Sequence, residues 1–369
     1  MTEGPDPQNP SSDLDEWVRI VVHWHFHPDT GSPFWLRKTA ELDFDPLSDI
    51  QTFADLARFP NCAADWGTVS VEDLIPRGCR GDPEAWFEIW ETGGTLKAPK
   101  RIVDWQDRAA GLRFFNHLLD LHGFPSGGSW LHVGPTGPHL VGKNMRMAAR
   151  GRGALFHAID FDPRWVKRCI QAGEDEITRR YIDHIVDQAL LVSRSQPVSV
   201  VTTTPPVLEA LCSHAEGLDW LQQRVRGVIW FGTSTSAETL RLLDEDLLPE
   251  TVLVGAYGNT LMGIAGQRPR QKDPAGDSQR YPAVFQPYFP YSVVQVVDPA
   301  DKTREVDWHS SGQVRVTLLG RELFLPNNLE RDEAVRVPPM PELAPADGVA
   351  LVRPLPIANG GTQVTEGVY

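Results

Sequence analysis

Residues 225–263 read VRGVIWFGTSTSAETLRLLDEDLLPETVLVGAYGNTLMG and contain two strand signals separated by a helix signal. GVIWFG (227–232) and TVLVGAYG (251–258) are short apolar runs of the kind that form buried strands. The intervening SAETLRLLDEDLL (236–248) predicts a helix. Two strands joined through a helix can pair in parallel, because the connection has room to cross over the sheet. This stretch therefore predicts one crossover unit of a parallel sheet.

The chain before residue 225 continues the same alternation. Its successive strand and helix signals are WLHV (130–133), HLVGKNMRMAAR (139–150), ALFHAID (154–160), the helical spacing of apolar residues over 177–190, and VSVVTTT (198–204). Pro205 and Pro206 then suit the first turn of another helix. Repeated crossovers predict an α/β fold with mostly parallel sheets that are covered by helices on both faces.

After residue 283 the pattern changes to strands without long helices between them. SVVQVVD (292–298) and GQVRVTLLG (312–320) predict a small antiparallel, β-barrel-like subdomain. We therefore expect four segments in the chain: a disordered leader at 1–14, an α/β body at 15–283, a β subdomain at 284–337 and an irregular, Pro-rich tail at 338–369.

The composition argues against several classes of protein. The 369 residues include 49 acidic and 35 basic side chains, and the net charge of −14 disfavours a general nucleic-acid or acidic-membrane role. No apolar run approaches the length of a membrane span, and the polar, acidic first residues do not resemble a signal peptide. The four cysteines include no CxxC pair, which fits a reducing compartment. The cytoplasm is the expected location.

The segment TGGTLKAPK (92–100) concentrates flexibility and positive charge in an acidic chain. Gly93 and Gly94 can adopt positive φ and let main-chain N–H groups approach a ligand closely. With the hydroxyls of Thr92 and Thr95 and the charge of Lys100, such a loop can hold a polyphosphate. It is not a Walker A loop, because the GxxxxGK[ST] spacing is absent. The alternative interpretation is a plain surface turn.

TGGTLKAPK resembles the phosphate loop, TSGTTGxPK, of the ANL superfamily of adenylate-forming enzymes. Residues 225–263 resemble the family's strand, glycine turn, helix and strand that lead into its YGxTE motif. Residues 292–326 are similar to a later passage of the phenylacetate-CoA ligase-like branch, and order and spacing agree over about 30–337. The altered motifs look closest to adenylating proteins of phenazine antibiotic biosynthesis of the griseoluteate type.

The resemblance implies that the chain uses ATP and Mg²⁺ to convert a carboxylic acid into an acyl-adenylate. It implies catalytic contacts to the phosphates from Lys100 and Thr260. It implies stacking of Tyr257 on adenine and acceptance of the ribose hydroxyls by Asp332. The other matched positions would contact the nucleotide, and they are Thr92, Gly93, Gly94, Thr95, Gly232, Thr233, Ser234, Gly258 and Asn259.

Two departures from the family pattern affect these expectations. Leu261 stands where the family has the glutamate that helps to hold Mg²⁺, so the magnesium would be carried by the triphosphate and water. The family's mobile C-terminal domain, with its catalytic lysine and transfer surface, has no counterpart after Asp332. We therefore expect the transfer half-reaction to be lost, with the adenylate passed to a separate acceptor protein such as a reductase that gives an aldehyde.

The stretch HWHFH (23–27) would place His23, His25 and His27 on one face of a strand, which is a possible metal spacing. No acidic or cysteine partner lies within the run, so half-buried packing is the favoured interpretation. GGSWLHVGPTGPH (127–139) places Gly134 and Gly137 after a predicted strand, where open α/β sheets bind ligands. These glycines suit the wall of a pocket for the acid.

The sequence is compatible with two functions of different class. The first is adenylation of an aromatic, phenazine-type carboxylate in antibiotic biosynthesis. The second is a non-catalytic module that binds an aryl acid and keeps only a degenerate nucleotide site, as Leu261 would allow. A weaker third is a CoA ligase whose missing domain is supplied by another chain. The resemblance also implies that the protein can form a homodimer.

Overall fold

The computed structural model describes residues 11–62, 64–80, 87–92, 101–104, 107–269 and 281–355, with the backbone alone at 101–104 and 107–108. The helices are α1 Leu14–Phe26, α2 Pro33–Lys38, α3 Pro46–Asp49, α4 Val71–Leu74, α5 Asp107–Leu121, α6 Leu140–Gly151, α7 Pro163–Gln171, α8 Asp175–Ser195, α9 Pro205–Ser213, α10 Ala215–Arg224 and α11 Ala237–Arg241. The strands are β1 Glu88–Glu91, β2 Arg101–Asp104, β3 Ser129–Gly134, β4 Leu155–Asp160, β5 Val198–Thr203, β6 Gly227–Phe231, β7 Val252–Asn259, β8 Gly263–Gln267, β9 Val284–Gln286, β10 Ser292–Val297, β11 Ser311–Leu319, β12 Phe324–Val337 and β13 Gly348–Pro354. Among these helices, none combines the length and the apolar character that a membrane span requires.

Contacts divide the described residues into two compact units. The first unit takes in the described parts of Met1–Gly111, Thr260–Gly263 and Pro287–Gly348. The second takes in the described parts of Leu112–Asn259, Ile264–Gln286 and Val349–Tyr369. The first unit joins N-terminal helices to strands that follow residue 287, and so it combines stretches that the sequence analysis assigned to different segments.

The first unit contains the antiparallel strands expected after residue 283. β11 pairs with β10 on one side and with β12 on the other, and both pairings are antiparallel. Buried residues alternate with more exposed ones in the first part of β11, as in a sheet with one covered face, and its last four residues are all buried. A short antiparallel hairpin of β1 and β2 also belongs to this unit.

The histidine stretch lies in helix α1, so the expected strand is wrong. Asp13 begins the helix by accepting hydrogen bonds from the main-chain N–H groups of Asp15 and Glu16. The buried face has helical spacing and consists of Trp17, Val18, Val21, Val22, Trp24, His25 and Phe26. His23 and His27 lie one turn apart and stack with ring centroids 5.0 Å apart, while His25 faces the interior. The three imidazoles therefore do not share one face.

Four side chains of α1 and α2 donate hydrogen bonds to carbonyls around the β11–β12 turn, which is residues 319–324. The donor and acceptor pairs are Trp17–Leu319, Trp24–Arg321, His25–Gly320 and Trp35–Phe324, with 2.8–3.1 Å between heavy atoms. Because a carbonyl only accepts, Nε2 of His25 carries the proton. These bonds satisfy main-chain oxygens that the helices bury.

The second unit contains the parallel sheet. Its strands follow the order β13-β9-β8-β7-β6-β5-β3-β4, and the five strands from β7 to β4 pair in parallel. Successive parallel strands are joined through helices, as the crossover pattern predicts. The mixed α/β fold with a mostly parallel, helix-covered sheet is confirmed.

Apolar side chains cover both faces of the parallel sheet. On one face, helices α7 to α10 contribute Val166, Ile185, Leu190, Leu208 and Trp220 to a large buried cluster. On the other face, α5 and α6 contribute Phe115, Leu119, Met145 and Ala148 to a second cluster. All residues of β3 are buried, as expected for a strand inside such a sheet.

A histidine is also buried within the second unit. His132 of β3 is fully inaccessible and stacks between Phe156 and Phe231, at centroid distances of 5.9 and 5.7 Å. Its Nδ1 lies 2.7 Å from the hydroxyl of Thr202. Burial lowers the pKa of His132 to about 4 and outweighs the opposing hydrogen bond to the Pro135 carbonyl. Burial likewise lowers the pKa of His25 to about 4.

We expect these two histidines to make the protein less stable in mild acid. An unfolded histidine binds a proton near pH 6.5, whereas the folded pKa is about 4, so stability is complete above pH 6.5 and falls as the pH drops toward 4. Each histidine should cost about 2 kcal/mol between pH 7.5 and pH 5. Urea unfolding of His25→Gln and His132→Gln at both pH values should show a smaller difference than the wild type. The control variant His184→Gln, at an exposed position, should lose as much unfolding free energy between the two pH values as the wild type. Equal losses in the wild type and all three variants would contradict the role of His25 and His132.

Two segment boundaries differ from the expectations. Gly348–Pro354 forms strand β13 and pairs antiparallel with β9, although this stretch was expected to be irregular tail. Its apolar run GVALV explains the strand. At the other end, Ser11 and Asp13 already support helix α1, whose first residue is Leu14, and residues 1–10 of the expected leader lie outside the described residues.

Candidate nucleotide and acid site

The hairpin of β1 and β2 carries the predicted phosphate loop. Glu91 pairs with Arg101, so the two described ends of the segment lie side by side. Thr92, half-buried, is the last described residue on the β1 side. The predicted loop residues Gly93, Gly94, Thr95 and Lys100 lie outside the described residues, and their roles stay predictions.

Thr260 contacts the loop end of this hairpin. Its hydroxyl donates a hydrogen bond to the carbonyl of Glu91, with 3.1 Å between the oxygens. Glu91 immediately precedes Thr92, and 169 positions separate it from Thr260 in the sequence. The structure therefore brings together the start of the predicted phosphate loop and the threonine of the predicted YGxT motif. In this arrangement the hydroxyl proton of Thr260 points to the protein, and donation to a phosphate requires rotation of the side chain.

Asp332 lies in an irregular part of β12. Gln313 pairs with Glu333 and Arg315 pairs with Leu329, so Val314 alone faces three residues of β12. Those three residues are Glu330, Arg331 and Asp332, and Asp332 is half-buried. Bulges of this kind re-aim side chains and are common beside active sites. Because of the bulge, the side chain of Asp332 does not have to follow the regular alternation between the two faces of the strand.

The remaining predicted nucleotide residues lie at the carboxyl ends of β6 and β7 in the second unit. Gly232 directly follows β6 with φ of +86°, a conformation that favours glycine, and Thr233 and Ser234 follow it toward the surface. Phe231 pairs with Ala256, so Gly232 and Tyr257 come next to each other on neighbouring strands. The half-buried Tyr257 lies 5.8 Å from the ring of Phe285. Gly258 and Asn259 complete β7, at its last two positions.

A buried glutamine holds the strand that carries Tyr257. Oε1 of Gln267 accepts the main-chain N–H of Gly255 at 2.7 Å, and Gln267 is 5% exposed. A Cβ on Gly255 would lie 2.5 Å from the indole of Trp230, so only glycine fits there. The sequence analysis missed Gln267, because no motif marks a glutamine that bonds a neighbouring strand.

The parallel sheet has its topological switch point between β3 and β5. From β3 the chain moves to β4 on one side and then to β5 on the other, and ligands of open α/β sheets bind at the carboxyl ends flanking such a point. Gly134 ends β3 there, and Thr204 directly follows β5. The hydroxyl of Thr204 is buried and has no hydrogen-bond partner among the described residues. Sequence reasoning found Gly134 but missed Thr204.

The described residues do not form a magnesium site of their own. Leu261, which stands where the resembled family has a glutamate, is 4% exposed, and the next residue, Met262, is also buried. Within the described ranges, no group of three His, Cys, Asp or Glu side chains could hold a metal ion. The expectation that Mg²⁺ is carried by the triphosphate and water stays a prediction.

No family model matches the sequence, and no curated protein sequence is similar to it. Solved structures are similar in fold. A 2-hydroxyisobutyryl-CoA ligase, in an open conformation with 2-HIB-AMP and CoA, aligns with a TM-score of 0.64 and 14% identity over 91% of this chain and 67% of the ligase. The same ligase in its postadenylation state, with R3-HIB-AMP, aligns with a TM-score of 0.62 and 13% identity over 90% of this chain and 65% of the ligase.

These neighbours are acyl-CoA ligases of the ANL superfamily, and at this identity the likeness concerns the fold alone. The expected ANL-type fold is therefore confirmed. The chain spans about two thirds of the ligase's length. The hairpin, Thr260 and Asp332 belong to the first unit, and the glycine turn after β6 and Tyr257 belong to the second unit.

Proposed function

We propose that this protein uses ATP to adenylate an aromatic carboxylic acid, with a phenazine-type carboxylate as the best candidate substrate. The carboxylate oxygen attacks the α-phosphorus, and pyrophosphate leaves with the electron pair of the broken P–O bond. No general base is needed, because the nucleophile is already an anion. The observation that carries the proposal is the hydrogen bond between Thr260 and the main chain of Glu91, beside the predicted phosphate loop.

The residues that match the family motifs would have different roles in nucleotide binding and in charge stabilisation. Lys100 and the loop N–H groups would stabilise the negative charge that develops on the phosphoryl oxygens, and Thr260 would position the α-phosphate. Tyr257 would stack on adenine, where such contacts are worth about 1–3 kcal/mol. Asp332 would accept the ribose hydroxyls with two strong acceptor oxygens. Support comes from the ANL-type fold and from the positions of these residues at strand ends and a bulge.

The acid would bind at the switch point of the parallel sheet. Thr204 offers a buried hydroxyl without a partner in the described chain, and the aromatic stack of Phe156, His132 and Phe231 lies on β4, β3 and β6 of the same sheet. His132 is neutral at pH 7. It would therefore not form an ion pair with the substrate carboxylate, which has to reach the α-phosphate. An apolar, aromatic wall with one hydroxyl suits a planar aryl acid.

ATP–pyrophosphate exchange tests the proposal directly. We expect exchange with Mg²⁺ and one of benzoate, anthranilate, phenazine-1-carboxylate or phenazine-1,6-dicarboxylate, and none without acid. Adding CoA should leave AMP release unchanged if the adenylate goes to a separate acceptor protein, such as a reductase. CoA-dependent AMP release would instead indicate a complete CoA ligase.

A second candidate function is acid binding without adenylation. The buried Leu261, in place of the family's carboxylate, favours it. This function predicts that an aryl acid raises the melting temperature equally with and without ATP, and that no acid supports exchange. Exchange with any acid would eliminate it.

We expect Thr260→Val to lower the exchange rate by about 10–100-fold, because it removes a hydroxyl beside the phosphates while keeping the side-chain shape. The lost hydrogen bond to Glu91 should also cost about 1 kcal/mol of stability, measured by urea unfolding.

Thr260→Ser is the matched control for this variant. It keeps the hydroxyl, which is the group that would donate a hydrogen bond to the phosphate. We therefore expect it to retain exchange within about threefold of the wild type. Equal rates in Thr260→Val and the wild type would remove Thr260 from the catalytic machinery.

A further inference from the structure

Strand β4 ends the strand order of the second unit and leaves one side of its backbone open. It pairs in register with β3 from Leu155 to Asp160, without a bulge. The N–H groups of Leu155 and Phe161 donate toward β3, and outward-facing residues alternate with inward-facing ones. The outward-facing residues are therefore Phe156, Ala158 and Asp160. Among the described residues, none bonds to their main-chain groups.

This edge lacks several of the features that usually prevent pairing between chains. Its sequence LFHAID contains no lysine and no proline, and natural edge strands often carry one or the other. Leu155 is 70% exposed, the largest fraction among the large hydrophobic side chains that the structure describes. Trp165, at the start of the following helix, is 45% exposed. An open edge that begins at an exposed leucine is suited to a second strand.

Charge and symmetry identify the occupant as a second copy of β4. Antiparallel pairing about a two-fold axis at Ala158 sets Phe156 opposite the partner's Asp160, so that all three outward-facing residues exchange hydrogen bonds. The exposed Arg146 lies over the ring of Phe156, 5.7 Å from its centroid, and would meet the partner's carboxylate. A register centred on Asp160 would oppose two carboxylates, and one centred on Phe156 would use fewer of the outward-facing groups.

We propose that two copies of this chain associate through β4, antiparallel, with Ala158 on the two-fold axis. The proposal goes beyond the adenylation function and does not depend on it. The parallel sheet of each copy then continues into the other. Leu155 is placed opposite the partner's Phe161, which removes its exposed surface from water, and Arg146 pairs with the partner's Asp160.

Cysteine cross-linking tests the register. In a hydrogen-bonded antiparallel pair the Cα atoms lie about 5.5 Å apart, within the range of a disulfide. We expect Ala158→Cys to form a covalent dimer on mild oxidation. His157→Cys should not, because its counterpart in this register is Ile159. The wild type, with its own four free cysteines, should not cross-link either. Cross-linking of His157→Cys alone would overturn the register.

Ala158→Pro tests the interface itself. The substitution removes an outward-facing N–H and leaves the bonds to β3 intact. Sedimentation velocity should show a dimer for the wild type and a monomer for Ala158→Pro, with similar melting temperatures. If Ala158→Pro does not fold, Arg146→Glu gives the same test by raising the dimer Kd roughly tenfold. A monomeric wild type, or a dimer that both variants leave unchanged, overturns the proposal.

Discussion

Replacing Lys100 by alanine is expected to lower the acid-dependent rate of ATP–pyrophosphate exchange by about 10²–10³-fold. Negative charge develops on the phosphoryl oxygens as the carboxylate attacks, and a fixed cation stabilises that charge far more than it stabilises bound ATP. The loop ends lie side by side at Glu91 and Arg101, beside Thr260, which gives the loop a defined base. The measurement is initial exchange rate at saturating ATP and acid.

Lys97→Ala provides a matched control for this experiment. Both lysines belong to the same short segment, but only Lys100 falls on a family position, whereas Lys97 stands where the family has glycine. We expect Lys97→Ala to keep exchange within about threefold of the wild type, since Lys97 matches no phosphate-contacting position of the resembled loop. Similar losses in both variants would mean that the segment acts through its net charge. Unchanged exchange in Lys100→Ala would remove the loop from the mechanism.

The largest effect on stability is expected for Trp35→Ala, at about 3–5 kcal/mol of unfolding free energy. Trp35 is 2% exposed, and its ring contacts four phenylalanines, which are Phe26, Phe34, Phe59 and Phe324. Truncation leaves a cavity among these rings and also removes the hydrogen bond to the carbonyl of Phe324. Urea unfolding with tryptophan-independent circular dichroism is the suitable measurement.

Two further variants separate the causes of this loss. Trp35→Phe keeps an aromatic ring and loses the indole N–H, so it should cost less than Trp35→Ala. Trp308→Ala removes a tryptophan that is 54% exposed, and it should cost about 1 kcal/mol or less. If Trp308→Ala lost as much unfolding free energy as Trp35→Ala, burial among the phenylalanine rings would not explain the effect of Trp35→Ala.

The parallel sheet could be predicted because its strands are short apolar runs bounded by clear breaks. Val198–Thr203 is followed, after Thr204, by two prolines that begin α9, and Gly227–Phe231 is followed by a glycine with positive φ. Burial on both faces makes such strands uniformly apolar, so length and boundaries are enough to recognise them.

Helix α1 shows where the same reasoning fails. HWHFH alternates polar and apolar letters, which suggests a strand when the five residues are considered alone. The wider spacing of Val18, Val21, Val22 and His25 is helical, and Asp13 is a helix cap, so a longer window contains the correct signal. Strand β13 was missed for a related reason, because a short apolar run is hard to recognise among prolines and glycines.

The candidate site was predictable only where a motif marks it. The contact between Thr260 and Glu91 joins two segments that the resemblance had already singled out. Thr204 and Gln267 belong to no motif, and their importance follows from buried hydrogen-bonding groups that only coordinates reveal. Asp332 was identified by position, but the bulge that displaces it from the strand pattern depends on pairing with β11.

The tryptophans that bond to the β11–β12 turn are synthesised long before the carbonyl groups that accept their hydrogen bonds. Trp17, Trp24 and Trp35 find their acceptors 289–302 residues later in the sequence. At about 5–20 residues per second, a ribosome needs roughly 15–60 s to add that length. During this time the three indole N–H groups lack their native acceptors, and Trp35 also lacks its contact with Phe324. Holding chaperones should therefore bind nascent chains that stop before residue 319 and release those that continue past residue 324.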